Sequence, residues 1–586
     1  LESVVARDAT LRSCAIEKAR ASKLPLYVCF VDFSNAFPWT DRAALWLKLH
    51  GHGLGGPLFD WLRKLYSDLE YRVVLEGALS EEFSSLIGIL AGDSISPDLW
   101  NVYLADFKPP GCAEDITLGG RFVSHLEQAD DMAIFSTSCE GLQRKLDYLW
   151  HYCSINFILV NLGKTKVMIQ GHSSAFASPR HVFTMHGAPI DYCTDYTYVG
   201  VTFSSTAAAG ARMFEKHYEN KAKKAHQVSC VTFQVDSFIG DLPPLEGKRL
   251  YTARVEPHLT SGAEVCPDST MSLLLPHQQV QHTFLQRILG LNPRCMRAFL
   301  FSETGLLPLA YRRILLTLRY MAYLIGLPEH HLASCAWHEC LELFANGAHC
   351  WLGDLVKVLD RLPLAGDKLN TGMISGEEIL RVSDLVTACA ATHVDSAISK
   401  SSKGWLLAGR TQFRGSANHS PIAFRSYLLN PIAAHRKALT SILLAEHPLA
   451  EAKLRYAERG QPAVPRRLRI CRLCKVDVED PIHALFICEG SEDLVKLRHT
   501  FWTQCRDKGD TRDKGLSIAT MPAMEALHAL VTSVTLQRKL AWFVYEVLRI
   551  YQGTEMLTPG RAEMQTASEE DVPVAASRRC ALDVLL

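Results

Sequence analysis

Two periods of apolar residues run along this chain. Residues 1–22 carry Val5, Leu11, Ala15 and Ala19 at helical spacing, which predicts one helix with an apolar stripe. The next apolar run, Leu26-Tyr-Val-Cys-Phe-Val, is unbroken and rich in β-branched and aromatic side chains. It reads as a buried strand, and a carboxylate, Asp32, follows it directly. Residues 121–128 and 132–136 predict two short strands meeting at Ala129-Asp130-Asp131, so a hairpin there brings two adjacent carboxylates to a sheet edge beside Asp32. Residues 212–224 predict a helix with Phe214, Tyr218, Ala222 and Ala225 on one stripe and Lys216, Lys221, Lys223 and Lys224 elsewhere. From 241 to 328 the pattern is helical, with breaks at Leu242-Pro243-Pro244, Leu289-Gly-Leu-Asn-Pro293 and Leu306-Leu-Pro308. Residues 365–425 are richer in Gly, Ser and Lys and predict a flexible segment. Residues 521–551 predict one or two apolar helices, and 556–586 a disordered tail.

Composition narrows the class. At 586 residues, 48% hydrophobic and 21% charged, the chain can bury cores in two to four domains. No apolar run reaches the roughly 18 residues of a membrane span, which argues against a membrane partner. Eighteen scattered cysteines without a secretory signal read as reduced thiols plus a metal site rather than a disulfide framework. Net charge is zero, so any nucleic-acid contact must come from local basic clusters.

The paired carboxylates suggest a chemistry. Transfer of a phosphoryl group onto a 3′-hydroxyl builds negative charge on the attacking and leaving oxygens, and two Mg²⁺ ions roughly 4 Å apart stabilise both. Mg²⁺ prefers hard oxygen ligands, which Asp32, Asp130 and Asp131 supply.

Five motifs in order resemble the reverse transcriptases of non-LTR retrotransposons, fungal type. They are Val31-Asp32-Phe33-Ser34-Asn35-Ala36-Phe37, Gly88-Ile-Leu-Ala-Gly92-Asp93-Ser94-Ile-Ser96-Pro97-Asp-Leu-Trp100-Asn101, Gln128-Ala129-Asp130-Asp131, Asn161-Leu-Gly-Lys164-Thr165-Lys166 and Tyr196-Thr-Tyr198-Val-Gly200. The resemblance implies an α+β fold: an antiparallel-sheet palm over 1–205, a helical thumb over 206–330, a helical connector over 331–460 and a zinc-knuckle module over 461–555. It implies an RNA-directed DNA polymerase with Asp32, Asp130 and Asp131 on two Mg²⁺ ions, Asp131 less directly than Asp130. Lys164 is then placed to serve the departing pyrophosphate. Phe37 becomes the floor under the incoming sugar, excluding a 2′-hydroxyl, and Gly92 and Ser96 lie near the nucleotide. Ser96 followed by Pro97 reads as the N-cap and first position of a helix. Tyr198 and Gly200 fall in the primer grip, and Lys216, Lys223 and Lys224 face the duplex. The implied partners are an RNA template, a DNA primer and deoxynucleoside triphosphates, and the implied place of work is the nucleus.

The sequence departs from the family at Pro38, Ala91 and Gln128, where the family has Asp, Gln and Tyr; none of these removes a metal ligand. Only one predicted helix precedes Asp32, where the family has a basic fingers region, so catalysis impaired by missing fingers is an expectation of this reading. The alternative is a non-catalytic nucleic-acid-binding relic or domesticated protein that uses its zinc knuckle.

That knuckle is the second site. Cys471 and Cys474 are followed by His483 after eight residues and Cys488 after four more, a spacing that can close a tetrahedron on Zn²⁺. Arg466, Arg467, Arg469, Arg472 and Lys475 crowd its first half, which points to nucleic-acid contact. A rival set, Cys335, His338, Cys340, His349 and Cys350, lies in a helical pattern and reads as structural.

Overall fold

The computed structural model describes residues 2–67, 69–111, 113–176, 180–364, 368–407, 420–457, 462–507 and 521–560. The fold is α+β. Helix α1 (Glu2–Ala21) leads into β1 (Pro25–Val31), the centre of a four-stranded antiparallel sheet with β2 (His125–Gln128), β3 (Asp131–Ser136) and β4 (Lys166–Gly171). The order is β4-β1-β3-β2. Strand β1 reads as a continuous apolar run because both of its faces are covered. Leu26, Val28 and Phe30 enter the core that contains α1, whereas Cys29 and Val31 enter the core beneath helix α3 (Cys139–Ile155). Helix α2 (Ser96–Leu104) packs into that second core through Leu99, Trp100, Tyr103 and Leu104.

Helix α1 is more deeply buried than its stripe predicts. Leu11, Ala15 and Ala19 are buried as expected, but so are Asp8, Arg12, Ser13 and Glu17; the Val5 side chain lies outside the described residues. The reason is tertiary. Helix Leu332–Ala345 covers the side of α1 that the sheet leaves open, and Lys18 reaches Glu339 across that contact. The Arg12 guanidinium is sandwiched between Phe30 and Phe203, 4.4 and 3.8 Å from their ring centroids, and burial pulls its pKa down to about 9.

The remainder is largely helical. Helix α4 (Glu215–Thr232) buries Tyr218, Ala222 and Ala225 on its core stripe, while the preceding turn Gly210–Phe214 adds Phe214. The Tyr218 hydroxyl and the Arg313 guanidinium converge on the buried Asp268 carboxylate. Part of the 365–425 segment is regular: Gly376–Lys400 is a 25-residue helix capped by Ser375. Residues 365–367 and 408–419 of that segment, and 561–586 of the expected tail, lie outside the described residues. Among the described residues no helix is long and apolar enough to cross a membrane.

Two buried histidines make stability pH-dependent. The His217 Nδ1 accepts from the Thr202 N–H while Nε2 faces the Ser261 carbonyl at 3.0 Å, an arrangement that requires the neutral ring. Burial, with a smaller contribution from Lys221 and Arg313, pushes its pKa down to about 4, and burial and Arg313 push His277 down to about 3. The unfolded groups titrate near 6.5, so the unfolded chain binds protons first as pH falls. The contribution is therefore complete above about pH 6.5 and is lost as pH drops toward 4 for His217 and 3 for His277, at about 3 kcal/mol for His217 alone. Urea midpoints measured from pH 7 to pH 4.5 should fall steeply, and a His217→Asn chain should show a shallower slope. Equal slopes in the two chains would refute this assignment.

Candidate functional site

Strand register gathers the first set of residues. Val31 pairs with Met132, so the next step along the ladder sets Asp32 level with Asp131. On the other side of β1 the ladder ends at Phe30–Lys166; residues 162–164 turn, and Phe33 bridges Val160 beyond them, which leaves Lys164 beside the end of β1. The Asp32 N–H donates to Thr165 Oγ1 at 3.2 Å and its carbonyl accepts from the Asn161 N–H at 2.8 Å, fixing the strand end. Lys164 Nζ lies 3.9 Å from Asp32 Oδ2, with the lysine largely solvent-exposed. This is a loose contact between partly exposed groups and contributes little stability.

The carboxylate pair sits on a two-residue hairpin. Gln128 pairs with Asp131, Ala129 adopts φ +53°, and its N–H donates to the Asn101 side chain of α2 at 3.0 Å. Sequence reasoning passed over Asn101, although it closes the quoted second motif; here it ties that motif to the turn. Gln128 also has a partner, the Arg7 guanidinium of α1 at 3.2 Å. Partial desolvation and the negative charges of Asp130 and Asp32 push the Asp131 carboxyl up to about 6. By surface area Asp131 is exposed at the end of the turn.

The other residues of this set divide. Phe37 is half-buried and meets Trp100 edge-on, with ring centroids 6.1 Å apart at 88°. Gly88 lies where its segment crosses Pro38, at φ +89°, and a Cβ there would meet the Pro38 carbonyl oxygen at 2.5 Å. Gly92 is exposed, with open space around it. Ser96 is not the N-cap: Ile95 holds that position without a side-chain bond, and Ser96 is the first helical residue. Its hydroxyl is fully buried and makes no hydrogen bond. Tyr198 is buried beside a hairpin turn at Val199-Gly200, where both residues have positive φ. Tyr196, which the sequence reading left without a role, stacks on Phe30 at 4.0 Å; desolvation, then Asp131 and Asp32, push its phenol up to about 12. Alternation along the strand already put Tyr196 and Tyr198 on one face.

Lys223 and Lys224 are exposed on α4, and Lys216 pairs with Glu219 at 2.7 Å. Arg466 is exposed and pairs with Asp480, and Arg467 is exposed as well. Arg469 is a correction. It is 3% exposed, and its guanidinium donates to the Val464 and Glu451 carbonyls, so it cannot reach a nucleic acid. Arg472 is likewise buried against Glu479 and serves packing.

The thiol cluster closes as its spacing predicts. Cys471, Cys474, His483 and Cys488 each present a ligand atom, all within 4.8 Å of one another. Cys471 Sγ and Cys488 Sγ are 3.7 Å apart, and Cys474 Sγ is 3.4 Å from His483 Nε2. A tetrahedral Zn²⁺ with bonds near 2.3 Å to sulfur and 2.0 Å to nitrogen spans edges of roughly 3.5 to 3.8 Å, so the donor set fits a metal such as zinc. His483 Nδ1 faces Asp477 Oδ2 at 3.6 Å, a placement that favours Nε2 as the ligand atom. Burial raises the Cys474 thiol, but the Asp477 and Val476 N–H groups, with Cys471 and His483, outweigh it and bring it down to about 7. Lys475 turns at φ +60°, and its N–H closes on the Cys471 carbonyl. A Cβ on Gly490 would collide with the Cys474 backbone. Among the described residues this is the one group of three or more such side chains gathered so as to hold a metal ion. The rival set is dispersed, with His338 facing solvent and His349 paired to Asp354 at 3.1 Å.

Carboxylates at adjoining strand ends and a Cys3His cluster thus occur in one chain, and comparison with known proteins relates that chain to retrotransposon proteins. It is 24% identical over 208 residues to the Retrovirus-related Pol polyprotein from type-2 retrotransposable element R2DM of Drosophila melanogaster. The match covers 34% of this chain and 20% of that protein. No protein-family model matches the chain.

Proposed function

We propose that the chain is an RNA-directed DNA polymerase of a non-LTR retrotransposon, extending a DNA 3′ end on an RNA template in the nucleus. The observation that carries this reading is the register that sets Asp32 level with Asp131, with the Lys164 ammonium 3.9 Å from the Asp32 carboxylate. In this reading 1–205 is a palm, 206–330 a thumb, 331–460 a connector and 461–555 a zinc-knuckle module. Two Mg²⁺ ions, when bound, supply Lewis-acid stabilisation of the attacking and leaving oxygens.

The protein's part is placement. Asp32 and Asp130 offer oxygen ligands from neighbouring strand ends, and Asp131 adds a third, its proton affinity raised by desolvation and by the neighbouring like charges. Divalent cations held by these three residues would offset that like charge. Lys164, beside Asp32, is placed to neutralise or protonate the departing pyrophosphate. The Phe37 ring, braced by Trp100, forms a floor under a deoxyribose, with Gly92 on the neighbouring motif and the Val199-Gly200 turn at the primer; buried Ser96 and Tyr198 support these two segments from beneath. Lys216, Lys223 and Lys224 serve the duplex backbone, and Arg466 and Arg467 a nucleic acid beside the zinc module.

The test is incorporation of deoxynucleotides by the purified chain into a DNA primer annealed to RNA, with Mg²⁺. Mg²⁺-dependent extension that Asp130→Ala abolishes is the expected result. Incorporation equal in the two chains would remove catalysis from the proposal, and tight nucleic-acid binding without incorporation would favour a binding protein instead.

A further inference from the structure

A second concave site is built from the carboxy-terminal half alone. Asn292, Pro293 and Arg294, Lys403, the turn Ala445-Glu446-His447, and Lys453 with Tyr456 line a cleft of about 340 Å³. That volume is at the small end of the range for ligand sites and suits one nucleotide-sized group.

Part of the lining is polar and pre-set. Asn292 Nδ2 donates to Glu446 Oε2 at 2.5 Å. Lys403 Nζ lies 3.7 Å from Glu446 Oε1, and both side chains are nearly covered, at 13% and 12% exposure. His447 is fully buried. Its Nε2 lies 3.4 Å from Glu451 Oε2, and among the described residues neither ring nitrogen makes a hydrogen bond. A buried ring nitrogen left unpaired is costly, and one that lines a cleft is a position for a ligand to satisfy.

The rim has a different character. Arg294, Lys453 and the ring of Tyr456 are exposed, and the Lys403 ammonium sits 5.2 Å from the Tyr456 ring centroid. Arg294, Lys403 and Lys453 thus line the cleft together with Glu446. A bare phosphate has no use for the aromatic ring, and an uncharged planar ligand has none for the cations. A base joined to a phosphate uses both, the base stacking on tyrosine and the phosphate meeting Arg294 and Lys453.

The lining is also anchored. Glu479 accepts from the Ala450 N–H through its carboxylate and from the Glu451 N–H through its carbonyl, while Arg472 donates to the Pro448 carbonyl. The cleft therefore takes its shape from the module that carries the Cys471 cluster.

We infer that this cleft binds one nucleoside phosphate unit, with Tyr456 as the base platform, Arg294 and Lys453 as the phosphate contacts, and His447 with the Glu446–Lys403 pair reading the base edge. It rests on the reading of the chain as a nucleic-acid-handling protein, and it adds a site that shares no residue with the strand-end carboxylates. The unit is either a free nucleotide or one residue of a single strand.

The experiment is fluorescence anisotropy of a fluorescein-labelled ten-nucleotide RNA on the full chain, with AMP as competitor. Tyr456→Ala should weaken binding about tenfold, and Tyr456→Phe should leave it unchanged. The pair Arg294→Glu and Lys453→Glu should reduce the slope of log affinity against log salt by about 0.7, the share of one phosphate. Melting temperature and zinc content of each variant verify folding. Displacement by millimolar AMP identifies a free nucleotide as sufficient; displacement by unlabelled RNA alone identifies a strand, and both support the site. Well-folded Tyr456→Ala and double-reversal chains that bind as wild type overturn it, as does a wild-type chain that binds neither RNA nor AMP. Primer extension separates the two ideas: cleft variants with normal binding in a chain that still extends primers sink the cleft alone, whereas RNA binding without extension sinks only the polymerase.

Discussion

Asp130→Ala should lower single-nucleotide incorporation at least about a thousandfold, which is roughly 4 kcal/mol in the barrier, while primer–template affinity changes little. The size follows from the role. A carboxylate that holds an ion between attacking and leaving oxygens acts in the transition state, so its loss lowers the rate constant far more than it weakens binding. Asp32→Ala should match it, because the ladder brings Asp32 level with the far end of the same hairpin. Asp131→Ala should cost less, on the order of ten- to a hundredfold, because the reading gives it the less direct role. Single-turnover rates checked against filter-binding affinities provide the measurement. A uniform fall in affinity with unchanged rate constants would assign these residues to structure instead.

The second large effect concerns the thiol cluster. Purified chain should carry one zinc, and Cys474→Ser should lose it together with the folded state of the module that follows. Structural Zn²⁺ sites supply about 10 kcal/mol or more of binding free energy, and in small modules that energy drives folding. Without the ion, Cys471, Cys474 and Cys488 lose the anchor that orders the loops around Gly490, and Tyr551 loses its packing partner Cys471, 3.5 Å away. Cys471→Ser and Cys474→Ser combined should cost scarcely more than either alone, since one lost ligand already releases the metal. Zinc content by atomic emission and chelator-induced change in circular dichroism test this. Additive losses with zinc retained in each single variant would contradict it.

Several of these features could be read from sequence because their determinants are local. The Asp130-Asp131 turn announces itself through two short flanking strands, and the cluster spacing through Cys471, Cys474, His483 and Cys488 alone. Other features depend on partners far along the chain. Arg469 and Arg472 read as a basic patch because sequence shows charge but not burial, and only the fold sets Glu451 and Glu479 against them. Ser13 and Glu17 of α1 are buried against a helix more than three hundred positions away, and Arg12 against Phe203, nearly two hundred away. The helix Gly376–Lys400 escaped notice for a different reason. Averaging composition over sixty residues hid its stripe of Ile379, Val382, Val386, Ala390, Val394 and Ile398, all buried at helical spacing. Tyr196 was passed over in favour of Tyr198, yet in this fold it is Tyr196 that stacks on Phe30 beside the carboxylates.

Manganese, a spin-active stand-in for Mg²⁺, allows the ions to be counted. Electron paramagnetic resonance should be recorded on the chain bound to RNA template, a dideoxy-terminated DNA primer and a matching deoxynucleoside triphosphate, titrated with Mn²⁺. Two bound ions per complex in the wild type, with at least one lost in the Asp32→Ala, Asp130→Ala double variant, is the predicted outcome; equal counts in the two complexes would contradict it.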